Sequence, residues 1–141
     1  DVYKRQTLGC TAMKLLLDTH IWLWYLLGDQ RLSSQLQTTI VAPNTELWLS
    51  PISIWETLIL AEKKRISLHP DPITWVNLAL KTLKTREAEM NYAIAILSRQ
   101  ISLPHQDPAD RFIVATAMYY GLTLATVDAN IISNSAIQTV S

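Results

Sequence analysis

The stretch HQDPADRFIVATAMYYGLTLATVD, residues 105–128, places a helix and a strand in immediate succession. Asp107 and Pro108 are typical of the cap and first position of a helix, and Gly121 is typical of a helix end. The apolar run that follows, 122–128, has the length of a strand buried on both faces, and it ends in a carboxylate. A helix that leads into a buried strand predicts one unit of a parallel α/β sheet.

The same alternation of elements extends along the rest of the chain. Short apolar runs predict strands at KLLLD (14–18) and ELWLS (46–50), and IQTV (137–140) suits a last, edge strand. The second helix has two candidate caps, Ser33 and Ser34. We therefore predict an α/β domain with a mainly parallel central sheet flanked by helices. The predicted helices cover residues 20–28, 33–42, 50–65, 71–84, 86–100 and 107–121.

The composition fits one globular domain and gives no bulk signal for a partner. Of the 141 residues, 49% are hydrophobic and 17% charged, which is typical of a domain with one core. Lys+Arg and Asp+Glu both number 12, so no net basic field predicts the binding of a polyanion. No apolar run approaches the roughly 18 residues of a membrane span. The lone Cys10 has no partner for an intramolecular disulfide. We expect a cytoplasmic protein that does not enter the membrane.

The first residues, DVYKRQTLGCTA (1–12), match neither a signal peptide nor a transit segment. They contain no initiator Met, and DVYKRQ looks like translated sequencing-adaptor read-through. We therefore expect residues 1–12 to be a non-native extension and the domain to span residues 13–141.

Two carboxylates lie at strand ends. Asp18 ends the first predicted strand and Asp128 ends the strand after the helix at 107–121. The carboxyl ends of parallel strands line the ligand crevice of α/β sheets, which favours a functional role. Each aspartate could equally cap the element that follows it, because Asp is a preferred N-cap residue. The sequence leaves both interpretations open.

Glu56 occupies an unusual place in the helix at 50–65. Helical spacing puts it on the face of Ile52, Ile59 and Leu60, so we expect it to point inward. A capping box, Ser53-x-x-Glu56, is the alternative, but Ser50 followed by a proline is a better helix start. An inward glutamate without a capping duty requires a cation or a shifted pKa.

Asp110 has a similar pattern in the helix at 107–121. It shares a face with Ile113, Val114 and Ala117, which sets it on the buried side. With Asp107 as the N-cap, Asp110 is the third helical residue, where it could also complete a box-like cap or favour the helix dipole.

Together, the four acids indicate a site for a hard divalent cation. Carboxylates that converge without a counter-ion repel one another and are driven toward protonation, and Mg²⁺ or Mn²⁺ relieves this repulsion. His20, His69 and His105 have no zinc-type spacing and are expected to be surface or capping residues. The absence of a Gly-rich phosphate loop argues against a nucleotide-binding kinase or NTPase.

Four segments in order carry a resemblance to a known family: MKLLLDTHIWLW (13–24), SPISIWE (50–56), the stretch at 105–128, and IQTV (137–140). They resemble the PIN-domain family, and within it the VapC-type toxins of toxin–antitoxin pairs. The resemblance covers essentially residues 13–141. It implies a three-layer α/β domain in which four acids hold Mg²⁺ or Mn²⁺ and RNA is hydrolysed.

The resemblance also implies roles for individual residues. Thr126 matches a frequent small polar position near the site, whereas Asp107 is interpreted as a structural helix cap. Asp18 and Asp110 would hold a metal ion, with the other two acids completing the shell directly or through water. The family's four acids fall on Asp18, Glu56, Asp110 and Asp128.

The partners implied are an RNA substrate, a small cognate antitoxin and a second copy of the chain. A PIN-like module that binds RNA or protein without cutting is the alternative function, and the intact set of acids counts against it. Trp22, Trp24 and Tyr25 could line a substrate groove near Asp18, but packing in the core or an interface is the expected role of such aromatics.

Overall fold

The computed structural model describes residues 13–104, 107–134 and 136–141. The predicted extension at 1–12, with Cys10, and His105 lie outside the described residues. The strands are β1 (Met13–Leu17), β2 (Thr45–Leu49), β3 (Arg86–Glu87), β4 (Thr123–Ala125) and β5 (Thr139–Val140). The helices of the described residues are α1 (Thr19–Leu27), α2 (Ser34–Val41), α3 (Pro51–Glu62), α4 (Pro72–Thr82), α5 (Tyr92–Gln100), α6 (Pro108–Tyr120) and α7 (Ala129–Ile132).

The sheet has the order β3-β2-β1-β4-β5, and every pair of neighbouring strands in it is parallel. β1 lies at the centre, with Leu15 opposite Leu47 of β2 and Leu16 opposite Leu124 of β4. The predicted edge strand within 137–140 forms as β5. The predicted α/β class with a mainly parallel sheet is therefore confirmed.

The central strand separates two hydrophobic clusters, which gives the domain three layers. Leu15, Leu16 and Leu17 are all fully buried, since both faces of β1 are covered. Successive side chains of a strand point to opposite faces. Leu15 and Leu17 accordingly pack in a cluster with Trp22 of α1, while Leu16 packs in the other cluster with Ile113 of α6.

The helix boundaries follow the local capping signals. Ser33, rather than Ser34, caps α2, and its side chain accepts a hydrogen bond from the backbone N of Leu36. Gly28 and Gly121 end α1 and α6 in the left-handed conformation that glycine adopts without strain. Even α6, with 13 residues, falls short of a bilayer. In the part of the chain that the structure describes, no helix has both the length and the apolar character to cross a membrane.

The prediction of one helix over 86–100 is wrong for its first six residues. Arg86 and Glu87 form the edge strand β3, which pairs with β2, and helix α5 begins only after Asn91. The backbone N of Ala88 also donates to the carbonyl of Leu49 at 2.9 Å. The helical propensity of this segment is therefore overridden, because the edge of β2 offers backbone partners that the local sequence does not reveal.

Candidate active site

A cleft of about 380 Å³ opens at the carboxyl ends of β1 and β4. It brings together the four predicted acids, and Asp107 joins them. A cleft of similar size beside α3 and α4, about 360 Å³, has mostly apolar lining and a single acid, Glu87. The convergence of titratable groups thus distinguishes the acidic cleft, which is lined by Asp18, His20, Ile21, Trp24, Arg31, Glu56, Asp107, Asp110, Val127 and Asp128.

Asp18 both caps α1 and faces the acidic cleft. Its Oδ1 accepts a hydrogen bond from the backbone N of Thr19 at 2.8 Å, and its Oδ2 accepts one from Oγ1 of Thr126 at 2.7 Å. Burial raises the pKa of the Asp18 carboxyl, and these two hydrogen bonds oppose that shift. The capping and functional interpretations of Asp18 are compatible, because the carboxylate at the end of a central strand is also the first group of the next helix.

Asp128 has the same double position at the end of the segment that follows β4. Its Oδ1 accepts from the backbone N of Asn130 at 2.9 Å and of Ile131 at 3.3 Å, which caps the short helix α7. Its own backbone N donates to Oγ1 of Thr126 at 3.1 Å. The fully buried hydroxyl of Thr126 thus links the two aspartates, because it donates to the carboxylate of Asp18 and accepts from the backbone N of Asp128.

Glu56 lies at the edge of the buried face of α3. The helix begins at Pro51 with Ser50 as its cap, so the capping box with Ser53 is excluded. The expected apolar stripe is corrected by the structure, because the residues of α3 that are fully buried are the polar Ser53 and Thr57. Ser53 Oγ accepts a hydrogen bond from Oγ1 of Thr19 at 3.0 Å.

The pKa of Glu56 is raised, and burial is the largest cause. A hydrogen bond from the Thr19 side chain lowers it, and the charges of Asp18 and Asp107 raise it further. Glu56 is half-buried, so its carboxylate is partly desolvated as well as close to like charges. A positive charge in the cleft would stabilise its ionised form.

Asp107 and Asp110 lie one turn apart at the start of α6 and both line the cleft. Asp107 caps the helix by accepting from the backbone N of Ala109 at 3.0 Å. Asp110 is half-buried, on the side of Ile113 and Val114, which are fully buried. Burial raises the pKa of Asp110 to about 7, and the charge of Asp107 is the next largest cause. Asp107 is thus a cap that also adds negative charge to the site.

Replacing Asp110 by asparagine is expected to stabilise the chelator-treated protein. The pKa of Asp110 rises from 3.8 to about 7 on folding, so the stability that this group contributes is fully present below pH 3.8 and is lost as pH rises through about 7. Asparagine carries no charge to repel the other acids. We expect a gain of about 1 kcal/mol near neutral pH, or about 3–5 °C in Tm for a domain of this size, shrinking in acid. Thermal denaturation followed by circular dichroism across pH measures it.

Asp71→Asn provides the matched control. Asp71 is an exposed helix cap whose pKa is lowered by hydrogen bonds from Thr74, so its carboxylate stabilises the fold. This variant should gain nothing at any pH. If Asp71→Asn and Asp110→Asn respond alike, the repulsion within the cleft is not what limits the stability of the metal-free protein.

The donors of the cleft suit a hard cation by their chemistry. All five acids provide oxygen ligands, and their mutual repulsion favours a bound positive charge. Among the described residues, no three His, Cys, Asp or Glu side chains stand as a ready-made ligand set. Mg²⁺, however, is usually held by only one or two carboxylates and keeps waters in the rest of its shell. The acids therefore fit a partly hydrated ion of this class.

The sequence did not assign His20 or Arg31 to a site, and it favoured core or interface packing for Trp24, yet all three line the cleft. Trp22 is fully buried in the core as expected, whereas Trp24 is half-buried and lines the acidic cleft. The signal that could have found Arg31 is the order Asp29-x-Arg31 directly after a helix-ending glycine, since an aspartate there often hydrogen-bonds the backbone two residues on.

The chain matches a protein-family model and a named ribonuclease over most of its length. The model of the family described as PIN domain matches residues 15–136. Ribonuclease VapC22 of Mycobacterium tuberculosis is 34% identical over 114 residues, which cover 81% of this chain and 86% of that protein.

Two solved structures share the fold at lower identity. DNA-bound VapBC from Salmonella typhimurium superposes with a TM-score of 0.68 at 20% identity, covering 91% of this chain and 97% of the other. A toxin–antitoxin complex from Klebsiella pneumoniae gives a TM-score of 0.64 at 22% identity, with 90% and 96% covered.

Proposed function

Because this chain belongs to the PIN domain family, we propose that it is an Mg²⁺- or Mn²⁺-dependent endoribonuclease that acts in the cytoplasm as the toxin of a toxin–antitoxin pair. The observation that carries the proposal is the convergence of Asp18, Glu56, Asp110 and Asp128 in one cleft. The identity to a protein named as a ribonuclease supports the choice of RNA as the substrate.

Asp18 and Asp110 would hold the metal ion, and Glu56 and Asp128 would complete its shell directly or through water. When bound, the ion would polarise the scissile phosphodiester and lower the pKa of a water molecule that attacks it. The chain's own contribution is to orient the ligands. Thr126 fixes the direction of the Asp18 carboxylate with a 2.7 Å hydrogen bond, as partners of metal ligands commonly do.

The partners we propose are a small antitoxin and a second copy of the chain. Support for the antitoxin comes from the Salmonella and Klebsiella relatives of the same fold, which are described as VapBC and as a toxin–antitoxin complex. Several large apolar side chains on helices are exposed and suit contact with other proteins. Among helical residues, the largest exposed fractions are those of Val41, Ile73, Leu78, Tyr92 and Ile96.

The decisive test is cleavage of RNA with controlled metal. We expect the purified protein to cut single-stranded or looped RNA in Mg²⁺ or Mn²⁺, to stop in EDTA, and to recover when the metal is restored in excess. Fragments are resolved on denaturing gels. The same fragments in EDTA would contradict the metal-dependent mechanism.

The alternative, a module that binds without cutting, gives a different result. Such a protein would shift labelled RNA in a binding assay yet leave it intact with either metal. The five acids of the cleft disfavour it, since a phosphate-binding surface without a cation gains nothing from concentrated negative charge.

A further inference from the structure

Arg31 is placed at the rim of the acidic cleft by a rigid local structure. Helix α1 ends at Gly28, and the backbone N of Asp29 donates to the carbonyl of Trp24 at 2.9 Å. Oδ1 of Asp29 then accepts from the backbone N of Arg31 at 2.9 Å. The turn therefore fixes where the arginine leaves the backbone.

The guanidinium of Arg31 is also fixed in orientation. Its Nε donates to Oδ1 of Asp29 at 3.1 Å and its Nη2 to Oδ2 at 2.8 Å, a paired contact on the Nε side of the group. Its Cζ lies 4.9 Å from the ring centre of Trp24. Asp29 thus occupies one edge of the guanidinium, and Trp24 covers one of its faces. The other edge, formed by Nη1 and the second N–H of Nη2, has the geometry for a phosphate.

Stability does not account for this arrangement. The Arg31 side chain is 68% exposed, and exposed ion pairs contribute little to folding. Asp29 has its pKa lowered to about 2 by the hydrogen bonds to Arg31, so it stays ionised and keeps hold of the arginine. A paired and stacked arginine that adds little to the fold is better explained by what it binds.

The negative charge of the cleft explains why a cationic side chain is needed at its rim to bind RNA. An RNA phosphodiester that approaches five carboxylates is repelled, and one metal ion offsets only part of that repulsion. Among the described residues that line the cleft, Arg31 is the one lysine or arginine. Since the net charge of the chain is zero, no general basic field replaces it.

We propose that Arg31, backed by Trp24 and oriented by Asp29, binds a backbone phosphate of RNA next to the scissile one. Arg31 is the contact, and Asp29 and Trp24 are positioning residues. The inference rests on the proposed function, because it names how that same cleft holds its substrate. A phosphate held by this fixed arginine would set the position of the RNA strand relative to the acids.

The test measures RNA binding apart from cleavage. All proteins carry Asp18→Asn, so a labelled oligouridylate stays intact, and Kd is measured by fluorescence anisotropy over a range of salt concentrations. Arg31→Gln should bind more weakly, and the slope of log Kd against log salt should fall by about 0.7, the value for one phosphate contact on a single strand. Lys14→Gln is the matched control. Lys14 is exposed at the opposite end of β1 from Asp18, and its removal should leave the slope unchanged.

A double variant separates the loss of the phosphate contact from the change in the local charge. Arg31→Gln alone leaves Asp29 as an unpaired negative charge, whereas Asp29→Asn/Arg31→Gln removes both charges. The slope of log Kd against log salt should fall by the same amount in both variants, whereas Arg31→Lys should retain the full slope. Recovery of the slope in the double variant, or an equal loss in Lys14→Gln, would overturn the assignment of Arg31.

The two proposals fail in different ways. If the chain with Asp18 restored cuts RNA in a metal-dependent manner but Arg31→Gln keeps its slope, only the phosphate contact is wrong. If no variant binds RNA and the unaltered protein cuts none, the proposed ribonuclease function fails and the contact fails with it.

Discussion

Replacement of Asp18 by asparagine is expected to abolish RNA cleavage in a protein that remains folded. Asp18 is only 7% exposed and directly follows the central strand, so its carboxylate has a fixed place in the cleft. Asparagine retains one oxygen for the Thr19 backbone and presents an amide to Thr126, which preserves the cap but removes the charge that a cation needs. The loss should exceed the ~10–100-fold typical for groups that only orient a metal ligand. Single-turnover cleavage, with circular dichroism as the folding control, measures it.

Two further variants make this expectation specific. Asp71→Asn makes the same substitution at a helix cap outside the cleft and should keep full activity, because an asparagine also caps well. Thr126→Val removes the hydrogen bond to Asp18 without touching its charge, and should cost about 10–100-fold. Equal losses in Asp18→Asn and Asp71→Asn would show that the effect is one of folding rather than of the site.

The largest effect on stability is expected at Arg111. This arginine is only 6% exposed, and its Nη1 donates to the carbonyls of Ser98 at 3.0 Å and Ile101 at 3.1 Å, at the end of α5. Arg111→Met keeps much of the volume but leaves both carbonyls without this donor. Hydrogen bonds from charged donors contribute more to stability than those from neutral donors. Part of this loss is offset, because the variant no longer carries the cost of burying a cation. We expect a net loss of about 3 kcal/mol, or about 10 °C in Tm.

Urea denaturation of Arg111→Met beside Arg65→Met tests this expectation. Arg65 is exposed after α3, and its replacement should change the stability by less than about 0.5 kcal/mol. Similar stabilities for the two variants would mean that the cost of burying Arg111 cancels its hydrogen bonds. Because Arg111 directly follows Asp110 on α6, its loss should also reduce cleavage at temperatures where the variant is still folded.

The fold could be predicted because its signals are local. The run KLLLD and the Asp-Pro and Ser-Pro helix starts each depend on a few adjacent residues, and the parallel sheet follows from their order. The family resemblance predicted from four segments is confirmed by the match to the PIN domain over residues 15–136. The metal-ligand roles of the acids remain predictions, and the cleft in which they meet is what supports them.

The errors have one physical origin, which is that non-local contacts compete with local preference. Residues 86–91 have a helical composition, yet Arg86 and Glu87 pair with the exposed edge of β2. Glu56 was expected among apolar neighbours, but the buried face of α3 carries Ser53, whose hydroxyl accepts a hydrogen bond from Thr19, 34 residues earlier in the chain. Neither partner is visible within a window of sequence.

The sequence by itself determined the α/β order and the helix starts at Ser50-Pro51, Asp71-Pro72 and Asp107-Pro108, since these depend on neighbours along the chain. Only the tertiary structure decided that Asp18 and Asp128 serve as cap and cleft residue at once, and that Asp107 and Arg31 belong to the same cleft. The physical reason is the parallel sheet. It brings the ends of β1 and β4 together across 108 residues of chain, from Asp18 to Thr126, and only there does the repulsion among carboxylates arise.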